Sequence, residues 1–135
     1  MTDQIPAMKG VIPYLNLRGA AEAIDFYKRA FGATEFARMP ADDGRRIIHG
    51  HLIINEGSLM ISDIFPEHGF DWQPSTSFTM QLVVDDIDSW FKRAVDAGCT
   101  IGMDVQVMFW GDRYGTLTDP FGVNWAMNEP AKPAA

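Results

Sequence analysis

Phe26-Tyr27-Lys28-Arg29-Ala30 recurs as Trp90-Phe91-Lys92-Arg93-Ala94, and each copy is followed shortly by a glycine, Gly32 and Gly98. A self-match of this kind marks an internal repeat. Before each copy stands an apolar-alternating segment, Val11 to Leu17 and Phe78 to Val84, the period-two pattern of a strand feeding a helix. The offset is 67 residues at the strand (17 to 84) and 64 in the helix (27 to 91), so the second copy is shorter at the strand-to-helix turn.

Working outward, Ala20, Ile24, Tyr27 and Phe31 recur at helical spacing in the first copy, and Ile87, Trp90, Phe91, Ala94 and Val95 in the second. Asp85 or Asp86 is placed to cap the second helix, Asp88 adds negative charge to its first turn, and Gly32 and Gly98 stand where helices stop. Three strand-like runs follow each helix: Thr34 to Met39, Ile47 to Asn55 and Ser58 to Asp63, then Cys99 to Phe109, Tyr114 to Thr118 and Val123 to Asn128. Turns at Asp43-Gly44, Glu56-Gly57, Gly111-Asp112 and Phe121-Gly122 separate them. The fold class is therefore α+β: two tandem βαβββ modules, each with a mixed sheet. The expected organisation is one domain over 1–135, with module one at 8–63, a linker at 64–77, module two at 78–129 and a frayed tail at 130–135. Neither half closes its own sheet, so module pairing and a homodimer are the natural ways to cover the edges. The linker carries Phe65, Phe70 and Trp72, which a solvated loop would not need; it is expected to pack down, as a lid or as a dimer contact.

The 135 residues are 47% hydrophobic and 21% charged, an ordinary globular balance, and no apolar run has the roughly 20 residues that a membrane span requires. The first ten residues do not read as a secretory signal. The lone Cys99 can form neither an internal disulfide nor a zinc site, and reads as a small buried hydrophobe. A cytoplasmic protein is expected. A formal net charge of −7 repels phosphate backbones and anionic lipid, so nucleic acid and membrane are not expected partners.

Four stretches then carry a family resemblance: Pro13-Tyr14-Leu15-Asn16-Leu17; Ala23-Ile24-Asp25-Phe26-Tyr27 through Phe31-Gly32-Ala33; Phe109-Trp110-Gly111-Asp112-Arg113-Tyr114-Gly115; and Asp119-Pro120-Phe121-Gly122 with Trp125. Together they resemble the glyoxalase/bleomycin-resistance/extradiol-dioxygenase (vicinal oxygen chelate) superfamily, in its PhnB-like branch, over residues 11 to 128. The resemblance implies the glyoxalase/bleomycin-resistance fold, with the two tandem βαβββ modules forming a cup-shaped mixed sheet, a small organic ligand and a homodimer. It does not choose among lyases, dioxygenases, epimerases, antibiotic-modifying enzymes and drug-sequestering proteins.

In metal-dependent members the ligands, mostly His and Glu, lie at positions matching Ile12, Thr79, Ala126 and a fourth near Ile61 or Ser62. Isoleucine and alanine offer no donor atom, and a lone threonine hydroxyl does not hold a catalytic divalent ion. No cofactor is therefore expected. The alternative is a divalent metal held by His49-x-His51, which share a strand face, completed by Asp63 or Asp112. That would make a lyase or dioxygenase-type enzyme; metal-free acid–base chemistry through Tyr114 and a histidine is a further enzymatic reading. A vestigial cup in a regulatory module is the third.

Strand alternation predicts which side chains leave the helix face. With Leu15, Leu17, Leu82 and Val84 turned to the helices, Ile12, Tyr14, Asn16, Thr79, Gln81 and Val83 face the concavity, joined by Tyr114, Thr116, Thr118, His49 and His51. Trp110 is a candidate for stacking, with Met103 and Met108 nearby as adaptable apolar surface. Arg113 is the candidate for a ligand carboxylate or phosphonate, against the plainer alternative of a structural Asp–Arg or interface ion pair.

Overall fold

The computed structural model describes residues 9–69 and 71–132. Phe70 and the extreme termini lie outside the described residues, so the expectations for them end here.

The chain contains β1 (Tyr14–Leu17), α1 (Ala20–Phe31), β2 (Thr34–Pro40), β3 (Ile47–Ile54), β4 (Gly57–Asp63), a 3-10 turn (Pro66–His68), β5 (Met80–Val83), α2 (Ile87–Ala97), β6 (Thr100–Val107), β7 (Arg113–Thr118) and β8 (Asn124–Glu129). The repeat is realised as two four-stranded sheets of one topology, β1-β4-β3-β2 and β5-β8-β7-β6. In each, the first strand runs parallel to the last and the other pairings are antiparallel. The chain divides into two compact units. Residues 9–28 and 32–72 form one, and the last turn of α1 joins residues from 73 onward in the other.

In the first unit Leu15, Leu17, Leu52, Leu59 and Ile61 are buried on the sheet face that meets α1, while Ala20, Ala23, Ile24 and Tyr27 are buried on the helix. Gly50 lets Ile24 come down onto β3: a Cβ there would lie 2.9 Å from Ile61 Cγ2 and 3.4 Å from Ile24 Cδ1. In the second unit Leu82, Leu117, Trp125 and Met127 are buried with Ile87, Phe91 and Ala94 of α2. Phe31 stacks on Trp125 at 4.4 Å between ring centroids. Asp86 is the α2 cap, accepting from Ser89 N, and Gly32 ends α1 in the left-handed region, φ 67°.

Two local expectations are corrected, and the linker is seen to divide. The first strands begin at Tyr14 and Met80, later than Val11 and Phe78, leaving Ile12 and Thr79 just outside the ladders. The β3–β4 turn is Asn55-Glu56, both left-handed at φ 50° and 68°, rather than Glu56-Gly57. The front of the linker belongs with the first unit: Phe65 lies under Arg46 (4.4 Å) and Trp72 under Arg18 (4.3 Å). The outer strands β2 and β6 each carry two register irregularities.

Candidate functional site

Each sheet has a face turned away from its own helix, and Tyr14, Asn16, His49, His51, Gln81 and Tyr114 sort onto it by parity. In the first unit Tyr14 pairs with Met60 across β1–β4, and Met60 with His51 across β4–β3, so Tyr14, Met60 and His51 share that face. Tyr14, 44% exposed, reaches diagonally over β4: its hydroxyl hydrogen-bonds with His49 Nδ1 at 3.0 Å, with ring centroids 5.6 Å apart. Asn16 Oδ1 accepts from Ser62 Oγ at 3.3 Å. His51 takes a different partner, Ser58 Oγ at 2.8 Å, and Phe36 sits edge-on to its ring at 5.1 Å. Burial, and secondly the neighbouring His49, hold the His51 imidazole below the usual histidine range, which favours its neutral form.

Sequence reading overlooked Phe36, Ser58 and Met60. The serine and methionine were legible as the same-parity neighbours of Ser62. Phe36 was not, because it sits in the bulge between Glu35 and Ala37, where alternation fails.

In the second unit Gln81, Ala126 and Thr116 lie in one cross-strand row, and Val83, Asn128 and Tyr114 in the next. Trp110 stands edge-on to Tyr114 at 5.8 Å and Phe109 edge-on to Trp110 at 4.9 Å. Thr118 Oγ1 donates to Asn124 Oδ1 at 2.9 Å, and Thr79 is exposed ahead of β5. Arg113 has the opposite parity from Tyr114. Its two terminal nitrogens donate to both Asp88 oxygens at 2.8 Å, so the guanidinium fork is engaged by α2, not by the adjacent Asp112. That pair lowers the Asp88 carboxyl below its ordinary value and raises Arg113.

The carboxylates considered for a metal, Asp63 and Asp112, already accept hydrogen bonds from the protein. Asp63 Oδ1 accepts from Gly19 N and Ala20 N, both at 2.9 Å, and Oδ2 accepts from buried Ile47 N at 2.7 Å. Glu129 Oε1 does the corresponding job for Ile87 N at 3.0 Å. Asp112 accepts from Asn128 Nδ2 at 3.0 Å and Ala131 N at 2.8 Å. Among the described residues no three of His, Cys, Asp and Glu are grouped to hold a metal ion. Of the positions that the resemblance matches to metal ligands, Ile12, Ala126 and Ile61 carry no donor atom, and Thr79 and Ser62 carry one hydroxyl each.

The most recognisable sequence motifs are turn devices. Asp119, 4% exposed, accepts from Phe121 N (2.8 Å), Val123 N (3.0 Å) and Trp125 Nε1 (2.9 Å), which accounts for both ends of Asp-Pro-Phe-Gly-x-x-Trp. Gly115 gives room to α2: a Cβ there would stand 2.7 Å from Phe91 Cε1. Cys99 is buried, which pushes its thiol up to about 12, so it is inert as a nucleophile near neutral pH.

Two βαβββ units with parallel outer pairs define an α+β tandem-module protein. The sequence profile of the Glyoxalase/Bleomycin resistance protein/Dioxygenase superfamily matches residues 13–127, and the chain belongs to that superfamily. An uncharacterized protein of Mycobacterium bovis is 40% identical over 126 residues, spanning 89% of this chain and 82% of its own length. The crystal structure of protein PA1353 from Pseudomonas aeruginosa superposes with a TM-score of 0.75 at 28% identity, covering 90% of this chain and 98% of that one. The PhnB protein of Bacillus cereus shares the fold, with a TM-score of 0.71 at 20% identity over 90% of this chain and 100% of its own. Among the described residues no helix is long and apolar enough to cross a membrane.

Proposed function

We propose that this protein is a PhnB-like small-molecule-binding member of its superfamily that holds an organic ligand of modest polarity without a metal. The observation that carries this reading is the Tyr14–His49 hydrogen bond on an open sheet face, beside Asn16–Ser62 and His51–Ser58. Paired donors and acceptors on a scaffold of strands are pre-oriented, and the rings of Tyr14 and Phe36 supply apolar contact at low entropic cost. Gln81, Tyr114 and Trp110 offer the same mixture in the second unit. Arg113 stands outside this set because Asp88 already occupies its fork. A homodimer accompanies the reading and is checked by light scattering.

The test is a thermal-melt screen of aromatic carboxylates and phosphonates, run beside Fe, Mn, Ni and Zn. A ligand present at 100 times its Kd adds about 2.7 kcal/mol of stability. The reading expects such a rise with an organic ligand and its loss in Tyr14→Phe and His49→Ala. A metal-specific rise abolished by His49→Ala and His51→Ala would overturn the metal-free reading.

A further inference from the structure

A cavity of about 550 Å3 lies in the first unit where β1 and β4 end, and no residue of the Tyr14–His49 face lines it. These two strands are parallel, so both reach the cavity by their carboxyl ends. Its wall brings together Arg18 from the β1–α1 turn, Arg45 and Arg46 from the β2–β3 connection, Glu22 from α1 and Asp71 from the linker.

The charges of this wall differ in availability. Arg46 is committed: it bonds Glu67 through two nitrogens (2.9 and 2.6 Å), reaches Asp43 at 2.6 Å and covers Phe65. Asp63, at the cavity floor, is consumed by three backbone N–H groups. Arg18 is ordered by its stack on Trp72, and among the described residues neither it nor Arg45 is in an ion pair. The same holds for Glu22 and Asp71. The wall thus carries two guanidiniums and two carboxylates outside any ion pair among the described residues, with Arg18 held on the Trp72 ring and Asp71 Oδ1 accepting from Trp72 N at 2.8 Å; a plain anion or a plain cation would meet repulsion from half of these charges.

We infer that this cavity is a binding site for zwitterions, taking an oxyanion group on Arg18 and Arg45 and an ammonium on Glu22 and Asp71. Nothing in it draws on the Tyr14–His49 face, so the two sites stand or fall separately.

The probe is β-alanine, titrated into 15N-labelled full-length protein, with propionate and propylamine as matched single-charge controls. The Gly19, Arg45 and Asp71 amides move saturably with β-alanine, with a Kd on the order of 1 mM, the range that a few solvated charge-assisted contacts supply. Propionate and propylamine bind at least tenfold more weakly. Arg45→Gln and Glu22→Gln, both at exposed positions, each raise the Kd at least fivefold while Tyr14→Phe leaves it unchanged. Propionate binding as tightly as β-alanine, movement undiminished in both variants, or no saturable movement would each overturn the inference.

Discussion

Asp63→Asn removes one oxygen from a carboxylate that closes a loop of structure across three chain segments. Oδ1 serves the first turn of α1 and Oδ2 serves Ile47 at the start of β3, so any amide orientation turns an NH2 toward a backbone N–H. The lost charge-assisted bond costs about 1.5–3 kcal/mol with the buried Ile47 N–H left unpaired, and losing the negative charge at the helix N-terminus costs about 0.3–1 kcal/mol more. A total near 3 kcal/mol corresponds, at about 2.1 cal/mol/K of unfolding entropy per residue, to a Tm lower by about 10 °C. Urea unfolding followed by circular dichroism is the assay, with the midpoint falling at unchanged slope. Glu129→Gln, which touches one N–H, is expected to cost only about 1 kcal/mol. Equal effects from the two, or an Asp63→Asn loss under about 1 kcal/mol, would refute the capping argument.

Three further outcomes are expected. Gly115→Ala forces a Cβ against Phe91, Val105 and the Met103 carbonyl and costs about 1–3 kcal/mol by chemical denaturation, whereas Gly57→Ala, whose Cβ would meet only the Ile54 carbonyl at 3.6 Å, stays near wild type. Glu56→Gly completes an Asn-Gly turn at a left-handed position and raises stability by about 0.5–1 kcal/mol in the same assay. Because His51 is held below its unfolded value, the unfolded chain binds more protons at mildly acidic pH. Its contribution is full above about pH 6.5 and is lost as pH falls toward the folded value, so a His51→Gln variant shows a melting temperature that depends less on pH below about 6.5.

The repeat was legible because burial imposes its period on the residues themselves: Leu15 and Leu17 recur as Leu82 and Val84, and all four are buried as alternation requires. Strand starts were less so. Residues 11–13 and 78–79 continue the apolar pattern without entering the ladders, though Pro13 O does accept from Met60 N. The members of the Tyr14–His49 pair were both nameable, but their contact depends on β4 inserting between β1 and β3, a property of strand order. Arg113 shows the same limit: its partner is Asp88, 25 positions away, not its neighbour in sequence.

The irregular outer strands have a consequence for how the protein keeps its own company. β2 is largely exposed along Thr34–Pro40, β6 is similarly open, and a flat exposed strand is a template for any passing chain that can add itself to the sheet. The two slips of register in each strand, the charged Glu35 and Arg38 and the terminal Pro40 break the even row of N–H and C=O groups that such an addition needs. Straightening β2 by deleting Phe36 would therefore be felt in the test tube as fibrillation, before it was felt as a loss of any ligand.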